Sequence, residues 1–411
     1  MKSFIIRSRF AEPETVRQLV AGYRSVDFRD PEQREAAVTA WAVSELAGEL
    51  AKVPGVTVNA AAPEDATILV LEVQPEAGLQ EQEYRITTED AGSRFRIVGG
   101  NAAGLLYGVY ELLHRWGFRY FSPDTGDAEY PAALDEPPAV SCIGRPAFQL
   151  RGFIGNRRDT PEFLIWMARN KFNFWTAEAR DVARCRLLGM TLLGGSHRLF
   201  EALLPPETYF ARHPEYYALI DGKRSDALHG VIGDNICMSN PEAAQTFADN
   251  LAEALEHGDL RDCDWVNVWP FDNGRYCQCD QCRRLGNPMR QLLQVIDRCT
   301  RIIRQKVARP VKLVVPAYHE TLAVPDTPLP KDFDYERVVI SFFPIERCYA
   351  HDIDAPECAE INRTLHEFYL RWTREPRWQL LMGEYYNVSA FAGIAAPFGE
   401  RIAHDLPVYR K

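Results

Sequence analysis

The pattern of hydrophobic and polar positions changes character near residue 149 of this 411-residue chain. Before that point, short apolar runs such as 67–73 and 94–100 predict strands, because they alternate and are bounded by turn residues. Helical spacing of Val38, Trp41 and Leu46 predicts an amphipathic helix over 31–51. We interpret residues 1–140 as a small α/β domain, which a proline-rich linker beginning at Pro131 connects to the rest.

From Gln149 onward, strand-like and helix-like segments alternate. Near-continuous apolar strands that alternate with helices are typical of a parallel sheet covered on both faces. The pattern therefore predicts a TIM-like (β/α)8 barrel over residues 141–411. Its eighth strand is missing by this count, which raises the hypothesis that the barrel is truncated at its C-terminus. The seven predicted strands are 149–155, 171–178, 190–196, 264–272, 311–318, 337–344 and 377–386.

Composition narrows the classes of partner. A net charge of -10 without any basic block argues against a nucleic-acid partner. No apolar run reaches the roughly 18 residues of a membrane span. The apolar run Phe4–Ile6 is too short for a signal peptide, so we expect a cytoplasmic protein, or a secreted or periplasmic one if a leader was removed. The oligomeric state is not indicated.

Two predicted strands end in acids with aromatic neighbours. Asp272, followed by Asn273, closes the fourth strand, and Glu384, followed by Tyr385 and Tyr386, closes the seventh. Reactive groups of such barrels lie at the carboxyl ends of the strands, so both carboxylates are expected at one mouth. The alternative is that Asp272 only caps a loop and Glu384 only pairs with an arginine.

Two facing carboxylates suit glycosidic cleavage. One protonates the leaving oxygen, and the other stabilises positive charge at the sugar carbon. Flat aromatic rings stack on the C–H faces of sugars, and Trp269, Trp175 and Tyr385 are the expected platforms. We therefore predict a glycoside hydrolase with Asp272 and Glu384 as catalytic residues.

Asn273, Tyr386 and other polar residues at strand ends are candidate substrate contacts. Tyr318, His319 and Glu320 end the fifth strand and are placed to contact sugar hydroxyls or to supply an auxiliary acid. His197 follows the third strand. Arg151 lies in the first strand, where a structural role is equally expected. No nucleophile elbow is visible in the sequence.

Ten cysteines all lie from Cys142 onward, and three of them crowd into the loop after Asp272. Three interpretations stay open. Cys277, Cys279 and Cys282 can bind a structural zinc with Cys237 as a fourth ligand, they can form a disulfide, or they can simply pack the loop. No other metal and no cofactor is expected.

Several motifs resemble known families. Residues 100–123 (GNAAGLLYGVYELLHRWGFRYFSP) look like the small domain that precedes the barrel in alpha-glucuronidases and family 20 hexosaminidases. The motifs HPEYYALIDGKR, ICMSNPE and GEYY, together with the stretch around Asp272, resemble the domain of unknown function 4838. That domain is associated with glycoside hydrolase family 163, whose members are endo-acting β-N-acetylglucosaminidases on complex N-glycans. The resemblance extends from about Arg94 to the end.

The resemblance implies a retaining hydrolase of β-N-acetylglucosaminides, in which the 2-acetamido oxygen of the substrate acts as nucleophile. Where family 20 enzymes carry an adjacent Asp-Glu pair, this chain has Asp272-Asn273. Two alternatives remain. An exo-acting glucuronidase-like hydrolase needs an arginine clamp for the uronate. A non-catalytic carbohydrate-binding barrel predicts carboxylates that are far apart or buried in salt bridges.

Overall fold

The fold follows from a computed structural model. It divides by compactness into two units, Met1–Thr191 and Leu192–Lys411, and each is described by itself. The predicted domain boundary at residue 140 stays a prediction. No described helix combines the length and the apolar character that a membrane crossing requires. The structure describes residues 2–10, 12–58, 65–75, 78–123, 127–154, 159–229, 232–272, 274–386 and 398–410.

The first unit contains a mixed six-stranded sheet. Lys2–Arg7 pairs in parallel with Thr67–Val73, whereas Tyr84–Glu89 pairs antiparallel with Arg94–Gly99. The order across the sheet is Val56–Val58, Lys2–Arg7, Thr67–Val73, Arg94–Gly99, Tyr84–Glu89 and Cys142–Gly144. The strands predicted at 67–73 and 94–100 are confirmed as Thr67–Val73 and Arg94–Gly99.

Part of the predicted linker belongs to this sheet. Cys142–Gly144 pairs antiparallel with Tyr84–Glu89 as its edge strand. Gly144 allows this pairing because a Cβ atom there would lie 1.9 Å from the ring of Tyr84. The linker interpretation followed from proline content alone, and proline is tolerated beside an edge strand.

The helices of the first unit have clear local causes. Asp30 caps the predicted helix at 31–51 by accepting hydrogen bonds from two backbone N–H groups, and that helix ends at Leu50. Asn101 caps the next one through the N–H of Gly104. The helices are Pro13–Ala21, Pro31–Leu50, Ala102–Arg115, Pro161–Arg169 and Val182–Leu187.

The first two predicted barrel strands are short. Of the first, only Gly152 forms a bridge, to Phe174, and its last residue lies outside the described residues. The second is Phe174–Thr176. The N–H of Thr191, the last residue of this unit, donates to the carbonyl oxygen of Asn173.

The second unit is built on parallel strands in chain order. Each strand pairs in parallel with the next. The strands are Thr191–Ser196, Trp265–Val268, Lys312–Ala317, Val338–Phe342 and Gln379–Met382. These match the predicted third to seventh strands, so the prediction of a parallel α/β barrel-type sheet is confirmed.

Helices separate these strands and cover the sheet. Asn240 caps the helix that begins at Pro241, and Asn287 caps the long helix before the fifth predicted strand. The helix before the seventh predicted strand begins at Asn362 and follows a separate 3-10 turn, Pro356–Cys358. The α-helices are Leu199–Leu203, Pro206–Tyr209, Pro241–Glu256, Asp280–Leu285, Pro288–Lys306, Asn362–Thr373 and Gly399–Arg410.

The core of the second unit lies between the sheet and these helices. Val266, Leu313 and Ile340 on three successive strands are fully buried. Because parallel strands end at the same edge of a sheet, the segments that follow the strands meet there. These segments carry the candidate chemistry of the second unit.

Candidate active site

Asp272 lies in a tight turn after the strand Trp265–Val268. The turn is fixed because the N–H of Phe271 donates to Oδ1 of Asn235 over 3.1 Å, and Gly274 N–H donates to the Phe271 carbonyl oxygen over 3.0 Å. The Asp272 side chain is 32% exposed. Its Oδ1 atom is nevertheless buried, and no described residue donates a hydrogen bond to it.

An aromatic wall stands beside this carboxylate. We define it as His197, Trp269, Tyr318, Phe343 and Tyr385. Ring centroids lie 5.0 Å apart for His197 and Trp269, 6.2 Å for His197 and Tyr318, 5.3 Å for Trp269 and Phe343, and 6.0 Å for Phe343 and Tyr385. The wall joins residues that follow five different strands, as a barrel mouth requires.

Trp269 brings a polar atom to the wall. Its indole Nε1–H is buried and has no hydrogen-bond partner among the residues that the structure describes. A buried polar group without a partner costs free energy, on the order of 1–3 kcal/mol. The mouth thus holds one unsatisfied acceptor, on Asp272, and one unsatisfied donor, on Trp269.

His197 is oriented by the backbone. Its Nδ1 lies 2.5 Å from the carbonyl oxygen of Pro270, which can only accept, so Nδ1 carries the proton. In the neutral ring this leaves Nε2 as an acceptor. The ring of His197 thus has a defined hydrogen-bonding sense, and its role as a substrate contact stays a prediction.

The two tyrosines of the wall remain protonated. Burial, and next the negative charge of Asp272, raise the pKa of Tyr385 to about 12. Burial also raises the pKa of Tyr318 well above its ordinary value, with further contributions from Tyr385 and Asp272. Both phenols are hydroxyl donors near neutral pH.

Glu384 has a different environment. Its side chain is 6% exposed and forms a salt bridge of 2.6 Å with Arg347, whose side chain is fully buried. Oε1 also accepts a hydrogen bond from the Tyr409 hydroxyl, and Oε2 accepts one from the Tyr349 hydroxyl over 2.7 Å. Burial raises the pKa of Glu384, against the opposing effect of Arg347. The contacts are those of the arginine-paired alternative, and its catalytic role stays a prediction.

The Glu384 network reaches the wall through Tyr349. The Tyr349 hydroxyl accepts the N–H of Tyr385 over 2.7 Å while it donates to Glu384. Tyr386 points elsewhere, since its hydroxyl donates to Asp405 over 3.1 Å. Asp405 in turn pairs with Arg347 at 2.7 Å. Glu384 thus holds the backbone that presents Tyr385.

Gly383 makes room for this arrangement. A Cβ atom at Gly383 would lie 1.8 Å from Cε1 of Phe343. The ring of Phe343 therefore occupies the space above the strand end, where it contacts both Trp269 and Tyr385. Only glycine leaves space for the ring at this position.

His319 lies between two carboxylates. Its Nε2 is 3.9 Å from Oδ1 of Asp272, and its Nδ1 is 3.5 Å from Oε1 of the exposed Glu346. Glu320, also exposed, lines a cavity of about 360 Å³ together with His319, Phe343 and Glu346. Sequence reasoning missed Glu346 and Phe343, although both follow the sixth strand, a position that signals the barrel mouth.

A larger cavity of about 700 Å³ lies at the other end of the strands. Tyr335 and Trp378 line it, and each precedes a strand, Val338–Phe342 and Gln379–Met382 respectively. Residues at the amino ends of barrel strands serve stability rather than catalysis. We therefore place the candidate site at the carboxyl ends, around Asp272.

Three predicted contact residues lie outside this cluster of described residues. In the first unit, Trp175 is 1% exposed and packs against Phe163 at 5.4 Å. Arg151 donates to the carbonyl oxygens of Phe148 and Lys171, over 2.6 and 2.8 Å. Asn273 lies outside the described residues. The predicted substrate contacts of all three stay predictions.

In the fold, Cys237 lies next to the three cysteines of the loop after Asp272. The ligand atoms of Cys237, Cys277, Cys279 and Cys282 all lie within 4.8 Å of one another. These four residues, which we call the thiol cluster, contain no disulfide.

A family comparison matches residues 127–391 to a domain of unknown function, DUF4838. The chain belongs to the DUF4838 family. The matched range includes Asp272, Glu384 and the whole thiol cluster, so the DUF4838 domain contains the candidate site described above. The resemblance found in the sequence motifs is confirmed. A search of curated proteins finds no match.

Solved structures similar to this DUF4838 chain include glycoside hydrolases. An inactive mutant of the family GH20 exo-β-N-acetylglucosaminidase from Vibrio harveyi has a TM-score of 0.45 at 12% identity, covering 85% of this chain and 56% of that one. The GH20 β-N-acetylhexosaminidase from Streptomyces coelicolor has a TM-score of 0.45 at 13% identity, covering 93% of this chain and 70% of that one. A GH115 4-O-methyl-alpha-glucuronidase has a TM-score of 0.45 at 10% identity, covering 84% of this chain and 52% of that one. The chain spans about half the length of the first and third.

Proposed function

We propose that this protein is a retaining glycoside hydrolase that cleaves β-N-acetylglucosaminides in glycans. One observation carries the proposal. The buried Oδ1 of Asp272 has no hydrogen-bond donor among the described residues, and it lies beside an aromatic wall that holds the equally unpartnered Nε1–H of Trp269. Such a pair of unsatisfied groups is suited to a ligand that carries both a donor and an acceptor.

A 2-acetamido group has this complementarity. Its N–H donates to a carboxylate such as Asp272, and its carbonyl oxygen accepts from a hydroxyl or indole such as Tyr385 or Trp269. Hydrogen bonds to a charged group contribute roughly 1.5–3 kcal/mol. The rings of the wall supply the flat apolar surface on which a sugar ring or an acetamido methyl group packs.

The mechanism follows from these contacts. The acetamido oxygen attacks the anomeric carbon, the bond to the leaving oxygen breaks, and positive charge develops on the acetamido group. The ionised Asp272 stabilises that charge, and Tyr385 holds the acetamido oxygen in line. Water then opens the cyclic intermediate from the opposite side, so two inversions give net retention.

The leaving oxygen needs a proton as the bond breaks. Nε2 of His319 lies 3.9 Å from Oδ1 of Asp272, and Glu346 lies next to the other nitrogen of His319. In the proposal His319 supplies that proton, and it takes a proton back from the water that opens the cyclic intermediate. Glu384 has donors on both carboxylate oxygens, so the proposal assigns it a positioning role through Tyr349 and Tyr385.

The test is a digest of glycoproteins that carry complex N-glycans, read by mass spectrometry. We expect cleavage at an N-acetylglucosamine residue and, by NMR, a product that is first released as the β-anomer. A thiazoline analogue of N-acetylglucosamine, which mimics the cyclic intermediate, should inhibit competitively. Cleavage with release of the α-anomer, or cleavage that the thiazoline leaves unchanged, would contradict the mechanism.

One observation favours a second candidate, a carbohydrate-binding barrel without hydrolysis. Glu384 is buried in a salt bridge, which is what that alternative predicts. Binding of N-acetylglucosamine-containing glycans without any cleavage by the parent protein would establish it. A glucuronidase-like activity has less support, because Arg347 is fully buried and committed to Glu384 and Asp405.

A further inference from the structure

We propose that the thiol cluster binds one structural zinc ion through four cysteine thiolates. Sγ of Cys237 lies 3.8 Å from Sγ of Cys279 and 3.9 Å from Sγ of Cys282. A zinc ion at its usual ~2.3 Å from each sulfur of a tetrahedron separates the sulfurs by about 3.8 Å. The two Cys237 distances match such a tetrahedron, and all four sulfur atoms lie within 4.8 Å of one another.

The four ligands come from two segments of the second unit. Cys237 precedes the helix Pro241–Glu256, while Cys277, Cys279 and Cys282 span the loop after Asp272 and the start of the helix Asp280–Leu285. The strand bridge between Asp234 and Arg275 brings the two segments together. Their salt bridge, at 2.7 Å, fixes the same approach. The backbone is therefore already arranged around the cluster.

The surroundings suit thiolates that bind a metal. Cys237, Cys277 and Cys282 are at most 4% exposed, and Ala218 and Ile220 pack against them. The N–H of Leu219 donates to Sγ of Cys277 over 3.2 Å, and the N–H of Cys282 donates to Sγ of Cys279 over 3.4 Å. Such donors to the sulfurs orient the ligands and stabilise their charge.

Charge and ligand chemistry point to zinc. Four thiolates and one Zn²⁺ leave a net charge of about -2, and the guanidinium of Arg224 lies 3.9 Å from Sγ of Cys277 to offset part of it. The cluster contains no carboxylate or imidazole ligand among the described residues. An all-sulfur tetrahedron excludes calcium and magnesium, which prefer oxygen.

The zinc would fix the loop that carries Asp272. Asn235, two residues before Cys237, accepts the N–H of Phe271 and donates to the carbonyl oxygen of Arg275. Joining Cys237 to the 277–282 segment thus closes a frame around the Asp272 turn. This consequence rests on the proposed function, whereas the metal site itself is tested by metal content alone.

The experiment is elemental analysis of the full chain purified under reducing conditions with zinc in the medium. We expect near-stoichiometric zinc in the parent, and X-ray absorption should show zinc–sulfur distances of about 2.3 Å. Cys282→Ala should lose the zinc. The matched control is Cys299→Ala, a buried cysteine in the helix Pro288–Lys306, which should keep it.

If Cys282→Ala does not fold, a second variant and a second measurement still test the proposal. Cys279→Ser changes the half-buried member of the cluster, and cobalt titration of the metal-stripped parent should give the absorption of a tetrahedral thiolate complex. Metal-free parent protein that takes up neither zinc nor cobalt would overturn the proposal. Stoichiometric iron, or disulfides within the cluster found by mass spectrometry, would overturn it as well.

Discussion

Nε2 of His319 lies 3.9 Å from Oδ1 of Asp272, and the other nitrogen of the same ring lies 3.5 Å from Glu346. The imidazole thus stands between a half-buried carboxylate and an exposed one. Histidine is the side chain best suited to transfer protons near neutral pH, and a carboxylate partner orients its ring. This relationship sets the proton path of the proposed reaction.

Asp272→Asn should abolish most turnover while it leaves the fold intact. The amide keeps the shape but removes the charge that the acetamido group needs, so we expect kcat to fall at least about a hundredfold. No described donor to Oδ1 is lost, so the unfolding midpoint should stay at the parent value. The control is Glu253→Gln on an exposed helix face, which should change neither kcat nor the unfolding midpoint.

His319→Gln should reduce kcat more than KM. The glutamine keeps hydrogen-bonding groups but cannot donate a proton as an acid, so a loss of about a hundredfold in kcat is expected. Glu346→Gln should give a smaller loss in kcat, because Glu346 orients the ring. Parent-level kcat in His319→Gln would remove His319 from the proton path.

Glu384→Gln should destabilise the protein. Removing the charge leaves the buried guanidinium of Arg347 with Asp405 as its remaining carboxylate partner, and breaking a buried pair costs roughly 3 kcal/mol. We expect a clear fall in the free energy of unfolding, measured by denaturant titration. The matched control is Glu375→Gln, which breaks an exposed pair with Arg377 and should have little effect.

The same variant separates the two roles of Glu384. If Glu384 only positions Tyr385, then Glu384→Gln and Tyr349→Phe should lower kcat by similar factors, because both break the link to the Tyr385 backbone. A far larger loss of kcat in Glu384→Gln than in Tyr349→Phe, with both variants fully folded at the assay temperature, would show that Glu384 itself takes part in catalysis.

His114 should make the first unit sensitive to acid. Burial lowers the pKa of His114 from 6.5 to about 4, with Lys171 and Arg119 acting in the same sense and Glu111 opposing. A lowered pKa in the folded state means that its stability contribution is complete above pH 6.5 and is lost as the pH falls towards 4.

Denaturant titration at several pH values checks this expectation. The free energy of unfolding should fall by about 2 kcal/mol from this group between pH 6.5 and 4, after allowance for solvent screening. His114→Gln should flatten that part of the curve relative to the parent, whereas His257→Gln, at an exposed position, should not. If the free energy of unfolding falls with pH in parallel for the parent and His114→Gln, the predicted contribution of His114 is wrong.

The sequence by itself determined the elements and their order. Strand signals are local, so the apolar runs predicted the parallel strands of the second unit within a few residues. The same rule placed Asp272 at a strand end, because the residue after a barrel strand lies at the mouth. The strand near 149–155 was overestimated, since its register depends on pairing and not on its own pattern.

The tertiary structure decided which side chains meet. Glu384 follows a strand as predicted, but its pairing with Arg347 joins positions 37 residues apart, and no local pattern encodes that contact. No local pattern encodes the contact between His319 and Asp272 either. Cys237 was one of several open choices until the fold brought its sulfur within 3.8 Å of Cys279, 42 residues later in the chain. Packing fixes such distances, because it depends on the whole chain at once and sequence spacing does not.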